Sequence, residues 1–150
     1  MKNLKVFYDP RQTVTDADSF SPSAGKPAEV LKSWQDLGLP LDVSTFKPLS
    51  RSQMALAHSI RYIEGVMSCK LPNGFGNMKP EVAASLPWTT GSMLAAAKYA
   101  LKTGLPAASL TSGFHHSAHD GGGGFCTLNG LMIAAQALRL AGLANRVGII

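Results

Sequence analysis

Thr111-Ser-Gly-Phe-His-His-Ser-Ala-His-Asp-Gly-Gly-Gly-Gly-Phe-Cys126 places two adjacent histidines, a third soon after, and four consecutive glycines in one short stretch. Glycine loses more backbone freedom on folding than any other residue, so a glycine run makes a poor scaffold. It is useful where the chain must take positive φ or lie close against a neighbour. Imidazole titrates nearest neutrality of all side chains, which suits a proton carrier. Along a strand, neighbouring side chains point to opposite faces. His115 and His116 can therefore act together only if the backbone there leaves strand geometry. Gly113 before them and Gly121 to Gly124 after them permit that departure.

The flanks of this stretch set the fold class. Ala107 to Thr111 is short, small and apolar, a candidate buried strand. Thr127 to Ala141 reads as a helix with Leu128, Leu131, Met132, Ala135 and Leu138 on one face and Gly142 as its stop. Arg146-Val-Gly-Ile-Ile150 then reads as a buried parallel strand. In open α/β sheets ligands bind beyond the carboxyl ends of strands, which is where the histidine–glycine stretch falls.

Working back from it, Met93, Leu94, Ala97 and Leu101 line a helix predicted to start near Thr89 or Thr90 and to end at Gly104-Leu-Pro106. Leu71 to Pro80, with Asn73, Gly74, Gly76 and Asn77, reads as a long exposed loop. Ile60, Ile63, Val66 and Met67 carry a helix from about Ser59. Ser50 and Gln53 form a capping box, and Leu49 with Met54 occupy the positions of a hydrophobic staple, so a helix begins at Ser50. Pro27 suits a first helical turn; Val30, Leu31, Trp34 and Leu37 follow at helical spacing until Gly38 and Pro40. Thr13 to Lys26 reads as a surface loop, and Leu4 to Tyr8 as a first strand stopped by Asp9-Pro10. Strand, helices, strand, loop, helix, strand gives an α/β class with a mainly parallel sheet.

Composition bounds the rest. At 150 residues and 45% hydrophobic the chain has material for one core and one domain, residues 1–150. Only 15% of residues are charged, against about a quarter in average domains, so much of the chain expects burial. The net charge of +5 is spread over scattered lysines with no basic run interleaved with aromatics, which argues against nucleic acid. Cys69 and Cys126 form no CxxC and read as reduced thiols. The N-terminus lacks a signal-peptide core, and no apolar run reaches membrane-spanning length. A cytoplasmic protein with no membrane or nucleic-acid partner is the expectation.

Several chemistries compete at the histidine stretch. Loop histidines are usually hydrogen-bonded bystanders, a description that suits His58 and His119. For the adjacent pair beside four glycines, function outweighs that reading, and two imidazoles could divide acid and base duties. A metal site from His115 and His119 would need a helix, which the downstream glycines oppose. A nucleophilic pairing of Cys126 with a histidine has only proximity in its favour. The glycine run could cradle a phosphate on backbone amides. It is not GxGxxG, however, and no Lys-Ser/Thr follows.

At these residues the chain resembles the histone deacetylase superfamily, which includes bacterial deacetylase-like amidohydrolases and acetylpolyamine amidohydrolases. Gly113-Phe-His-His-Ser117 and Gly124-Phe-Cys-Thr-Leu-Asn129 are similar to the family signature Gly-x-His-His-Ala…Gly-Phe-Cys-x-x-Asn. Supporting similarities are Thr90-Gly-Ser-Met-Leu-Ala-Ala96, His58-Ser-Ile-Arg-Tyr-Ile63 and Val6-Phe-Tyr-Asp-Pro10, so the resemblance runs along nearly the whole chain.

The resemblance implies an arginase/deacetylase three-layer α/β fold, here its N-terminal portion. It also implies zinc-dependent hydrolysis of an acylated amine such as acetyl-lysine or an acetylpolyamine. His115 and His116 would be the catalytic pair over a metal-bound water, titrating as a coupled unit with the general base unassigned. Gly124 and Phe125 would bind substrate, Phe125 walling a channel for the methylene stem. Ser117 stands where the signature usually has alanine. The Zn2+ ligands and the carbonyl-polarising tyrosine are expected downstream of Ile150, with no metal ligand in this chain. The 150 residues alone are therefore expected to bind no catalytic zinc and to hydrolyse nothing. Two alternatives remain: a truncated non-catalytic binding module, and a phosphate-binding glycine-loop protein. Homo-oligomers would be compatible with an exposed sheet edge at Val147 to Ile150.

Overall fold

A computed structural model describes residues 3–150. Strand β1, Leu4–Phe7, pairs in parallel with β2, Leu41–Ser44, on one side and with β3, Ala107–Ser109, on the other. The order β2-β1-β3 puts the first strand in the middle, and Val6, at 0% exposure, is its most buried residue. Parallel neighbours need crossovers, and helices supply them. Helix α1, Lys26–Asp36, links β1 to β2. Helices α2, Arg51–Met54, α3, Ile60–Met67, and α4, Pro80–Thr103, intervene before β3, and α5, Gly130–Leu140, follows it.

Local signals account for most element ends. Ser50 and Gln53 exchange both capping-box bonds at α2, and the staple residues Leu49 and Met54 are 6% and 1% exposed. Ser59 caps α3 through its hydroxyl. Gly38 and Gly142 both take positive φ just past α1 and α5, where a left-handed residue lets the last carbonyls find donors. The main core joins Leu49, Met54, Tyr62, Ile63, Val66, Leu86, Leu94, Leu128, Ile133 and Ala134, so α2 to α5 share one interior. A smaller cluster packs Val14 and Ala17 on Val82 of α4.

The structure adds strand β2, which the sequence reading leaves unassigned, and departs from that reading in five further places. Helix α4 begins at Pro80 rather than near Thr89, because Pro80 sits in its first turn and Pro87 does not end it. The missing N–H of Pro87 forfeits one helical bond, to Ala83 O four residues back, and the helix continues through it. Thr89 and Thr90 hydroxyls donate to Leu86 O at 3.0 and 2.7 Å, and Leu49 N–H donates to Pro87 O at 2.9 Å. Helix α5 starts at Gly130 rather than Thr127, since Asn129 Oδ1 accepts from Met132 N–H and caps it. Its buried face uses Ile133 and Ala134, while Met132 is 40% exposed.

The remaining three concern segments between and beyond the helices. The Leu71 to Pro80 loop is not wholly exposed: Asn73 and Gly74 are buried against the histidine–glycine stretch. Thr13 to Lys26 is likewise only partly a surface loop, for Val14, Ala17 and Ser23 are buried. Arg146 to Ile150 forms neither a strand nor a sheet edge, with Val147 and Ile149 41% and 51% exposed. Among the described residues no ladder pairs with it, and an unpaired extended segment has no inter-strand bonds to hold it.

Candidate functional site

Parallel pairing brings the carboxyl ends of β1 and β3 side by side. Beyond β1 the chain turns through Pro10–Gln12, and buried Gln12 donates through Nε2 to Leu110 O and to Ser92 Oγ, each at 3.0 Å. This bond between the two strand ends fixes where the chain leaves β3 and enters the histidine stretch. Asp9 beside it is held by Arg11 in a two-pronged pair, Nε to Oδ1 and Nη2 to Oδ2, both 2.7 Å. That side-chain bond holds the Asp9 carboxyl below its usual range, against the opposing effect of burial.

The stretch itself folds into two tight reversals. Ala118 pairs with Gly121, and Gly123 pairs with Cys126. At the second, Gly124 and Phe125 have φ of +52° and +66°, the positive pair that a two-residue type I′ hairpin requires. Glycine takes such angles freely; a bulky residue does so only when its surroundings impose it. Here Phe125 N–H donates to Gly74 O at 2.9 Å, and Gly123 and Cys126 exchange N–H···O bonds at 3.0 and 2.9 Å. The result presents the Phe125 ring between Phe75 and Phe20, at centroid distances of 5.7 and 5.3 Å. Phe20 is 93% exposed, so this aromatic cluster reaches the surface.

The glycines are used unequally. A Cβ on Gly124 would lie 2.7 Å from the His116 ring, so the bare backbone lets the imidazole rest against the hairpin. Gly122 faces the Tyr62 hydroxyl and the Cys126 carbonyl with no room for a side chain, while Gly121 and Gly123 face open space. His115 and His116 are both exposed, with ring centroids 4.1 Å apart and planes tilted by 44°. The structure thus collects His115, His116, Gly124 and Phe125 on one surface beyond the sheet.

The inner side of the loop is polar and buried. Thr127 O accepts from Tyr62 Oη at 2.9 Å and from Ser117 Oγ at 2.7 Å, and Thr127 Oγ1 accepts from Gly74 N–H at 2.9 Å. Burial pushes the Tyr62 phenol up to about 12, so it stays a donor. His58, 1% exposed, accepts Asn129 N–H on Nε2 at 2.8 Å and faces His119 O with Nδ1 at 3.3 Å. His119 in turn points Nδ1 at Ala57 O, 3.0 Å away.

This arrangement bears on the competing chemistries. Among the described residues no three of His, Cys, Asp and Glu cluster to hold a metal. His119 is turned toward Ala57, which removes the His115–His119 pair. Cys126 is buried, and its thiol lies 3.5 Å from Gly124 O rather than in a hydrogen bond with a histidine. The glycine run does not open a helix, for α5 starts at Gly130 under an Asn129 cap, so a phosphate cradle loses its geometry. A groove of about 560 Å³ lies elsewhere, lined by Arg11, stacked on Trp88, and by Lys79.

Sequence reasoning missed the residues that hold the loop: buried Tyr62, Gly74 and Thr127, and half-buried Asn129. Only Asn129 had a readable signal, as an Asn ahead of an apolar run is a helix cap.

The histone deacetylase domain model matches residues 23–150. The chain therefore belongs to the histone deacetylase family. No curated protein sequence matches it. Among solved structures it is similar to an acetylpolyamine aminohydrolase from Burkholderia pseudomallei. The TM-score is 0.69 at 21% identity, over 92% of this chain and 53% of that one. It is also similar to the HD domain of HDA15, with a TM-score of 0.75 at 15% identity, over 94% of this chain and 45% of that one. These likenesses show the arginase/deacetylase fold, and the chain spans about half the length of either structure. Among the described residues no helix is long and apolar enough to cross a membrane.

Proposed function

We propose that the chain carries the proton-handling part of an amidohydrolase centre acting on an acylated amine such as acetyl-lysine or an acetylpolyamine. The observation that supports this most is the His115–His116 contact at 4.1 Å beside a surface-reaching aromatic wall. In amide hydrolysis a base must take a proton from water as its oxygen attacks the carbonyl, and an acid must give one to the departing amine. Two touching imidazoles can do both in turn: one accepts the water's proton while the other, already protonated, supplies the amine. Phe125, backed by Phe20 and Phe75, would line the path of an apolar methylene stem, with Gly124 leaving His116 room.

The family implies zinc, whose ligands we place among residues other than these. The chain alone is accordingly proposed to bind no stoichiometric zinc and to turn over no acetyl-lysine reporter; elemental analysis and a fluorogenic assay check both.

The function itself is tested by joining residues 1–150 to the second half of the acetylpolyamine aminohydrolase domain and assaying acetyl-amine hydrolysis. His115→Ala and His116→Ala should each lower turnover by about 100-fold or more. Unchanged turnover in both would remove the pair from the mechanism.

A further inference from the structure

Of the four histidines, His58 is the one that is buried, and every polar atom of its ring is engaged. Because Nε2 accepts the Asn129 N–H, it carries no proton of its own in the neutral ring. The proton must then sit on Nδ1, where it is aimed at His119 O. One side chain from the turn before α3 thus grips the histidine–glycine loop at two points.

Around it the same two points are reinforced. Ser59 N–H donates to His119 O at 3.1 Å, and His119 Nδ1 lies 3.0 Å from Ala57 O. Asn129, whose N–H meets His58, sends Nδ2 to Ser117 O at 3.1 Å and caps α5 with Oδ1. The backbone next to the exposed pair, at Ser117, is therefore fixed by a residue that His58 fixes.

We infer that His58 is a positioning residue: a neutral, single-tautomer clasp that holds the loop at His119 and Asn129, and so sets how His115 and His116 are presented. This extends the amidohydrolase reading, for it concerns how that pair is held. Burial disfavours a second proton on the ring and so keeps the tautomer the clasp requires. A leucine would fill similar space but leave Asn129 N–H without an acceptor. A glutamine amide can accept and donate at once.

The test uses nitrogen-15 NMR of the whole chain and no hydrolysis assay, so its failure and that of the hydrolase reading are separable. First, long-range spectra should show the His58 proton on Nδ1. Second, His58→Leu should speed exchange of the Asn129 amide by about tenfold or more. It should also move the His115 and His116 ring signals and alter the separation of their titration midpoints, with β1 and β2 amides unmoved. His58→Gln should restore the pair's midpoints, an outcome that mere loss of packing would not give. Should the leucine variant fail to fold, the tautomer and the glutamine variant still decide. A proton on Nε2, or a pair whose titration is indifferent to both substitutions, would overturn the clasp.

Discussion

His58 and the His115–His116 pair show one side chain put to opposite uses within the same loop system. His58 is 1% exposed, has a backbone group at each ring nitrogen, and cannot gain a proton without losing the Asn129 bond. The pair is exposed, His116 rests against Gly124, and the two rings lie against each other. Burial with two hydrogen bonds removes protonic freedom from His58. The surface pair has no such enclosure.

The sharpest way to break the contrast is to destroy the buried side. Gly74→Ala would place a Cβ 2.3 Å from the carbonyl carbon and oxygen of Cys126, both backbone atoms that cannot swing aside. The expected loss is about 3 kcal/mol or more, read as a lowered urea midpoint. His58→Leu acts on the same side more narrowly. Leaving the Asn129 N–H without its acceptor should cost about 1–3 kcal/mol, with the urea m-value unchanged.

A pH series sharpens the comparison without mutation. Desolvation lowers the His58 pKa from its ordinary 6.5, with the charge of His119 adding to it and Asp120 and the backbone bonds opposing; the Tyr62 ring beside it stays neutral. The unfolded chain then takes up a proton at His58 near pH 6.5 while the folded chain resists until lower pH. Stability should therefore be fully present above that value and fall as pH drops below it, levelling once the folded ring protonates. Urea midpoints between pH 8 and pH 5 check this, and His58→Leu should lose that slope. The smallest effect belongs to the exposed side. His115→Ala and His116→Ala should each change stability by no more than about 0.5 kcal/mol, which thermal unfolding can verify.

Much of this contrast was legible in the residues. His-His beside Gly-Gly-Gly-Gly announced an irregular backbone, and Ser50 with Gln53, Gly38 and Gly142 marked their helix ends through short-range capping. The errors arose where distant groups override local rules. Pro87 lies inside α4, with the Thr89 and Thr90 hydroxyls and the Leu49 amide bonded to carbonyls beside it. Asn73 and Gly74 are buried because they meet Cys126 and Thr127, far along the chain. The apolar Val147 to Ile150 has strand composition yet no ladder partner among the described residues.

By itself the sequence determined the α/β class, the caps, the family signature and the place of the paired imidazoles, since each of these rests on spacing within a few residues. Tertiary structure alone decided that Phe125 holds positive φ between Phe20 and Phe75, and that His58 closes on Asn129 while His116 settles on Gly124. Those outcomes depend on which distant backbone donor finds which acceptor once the core is packed. No local periodicity records that choice.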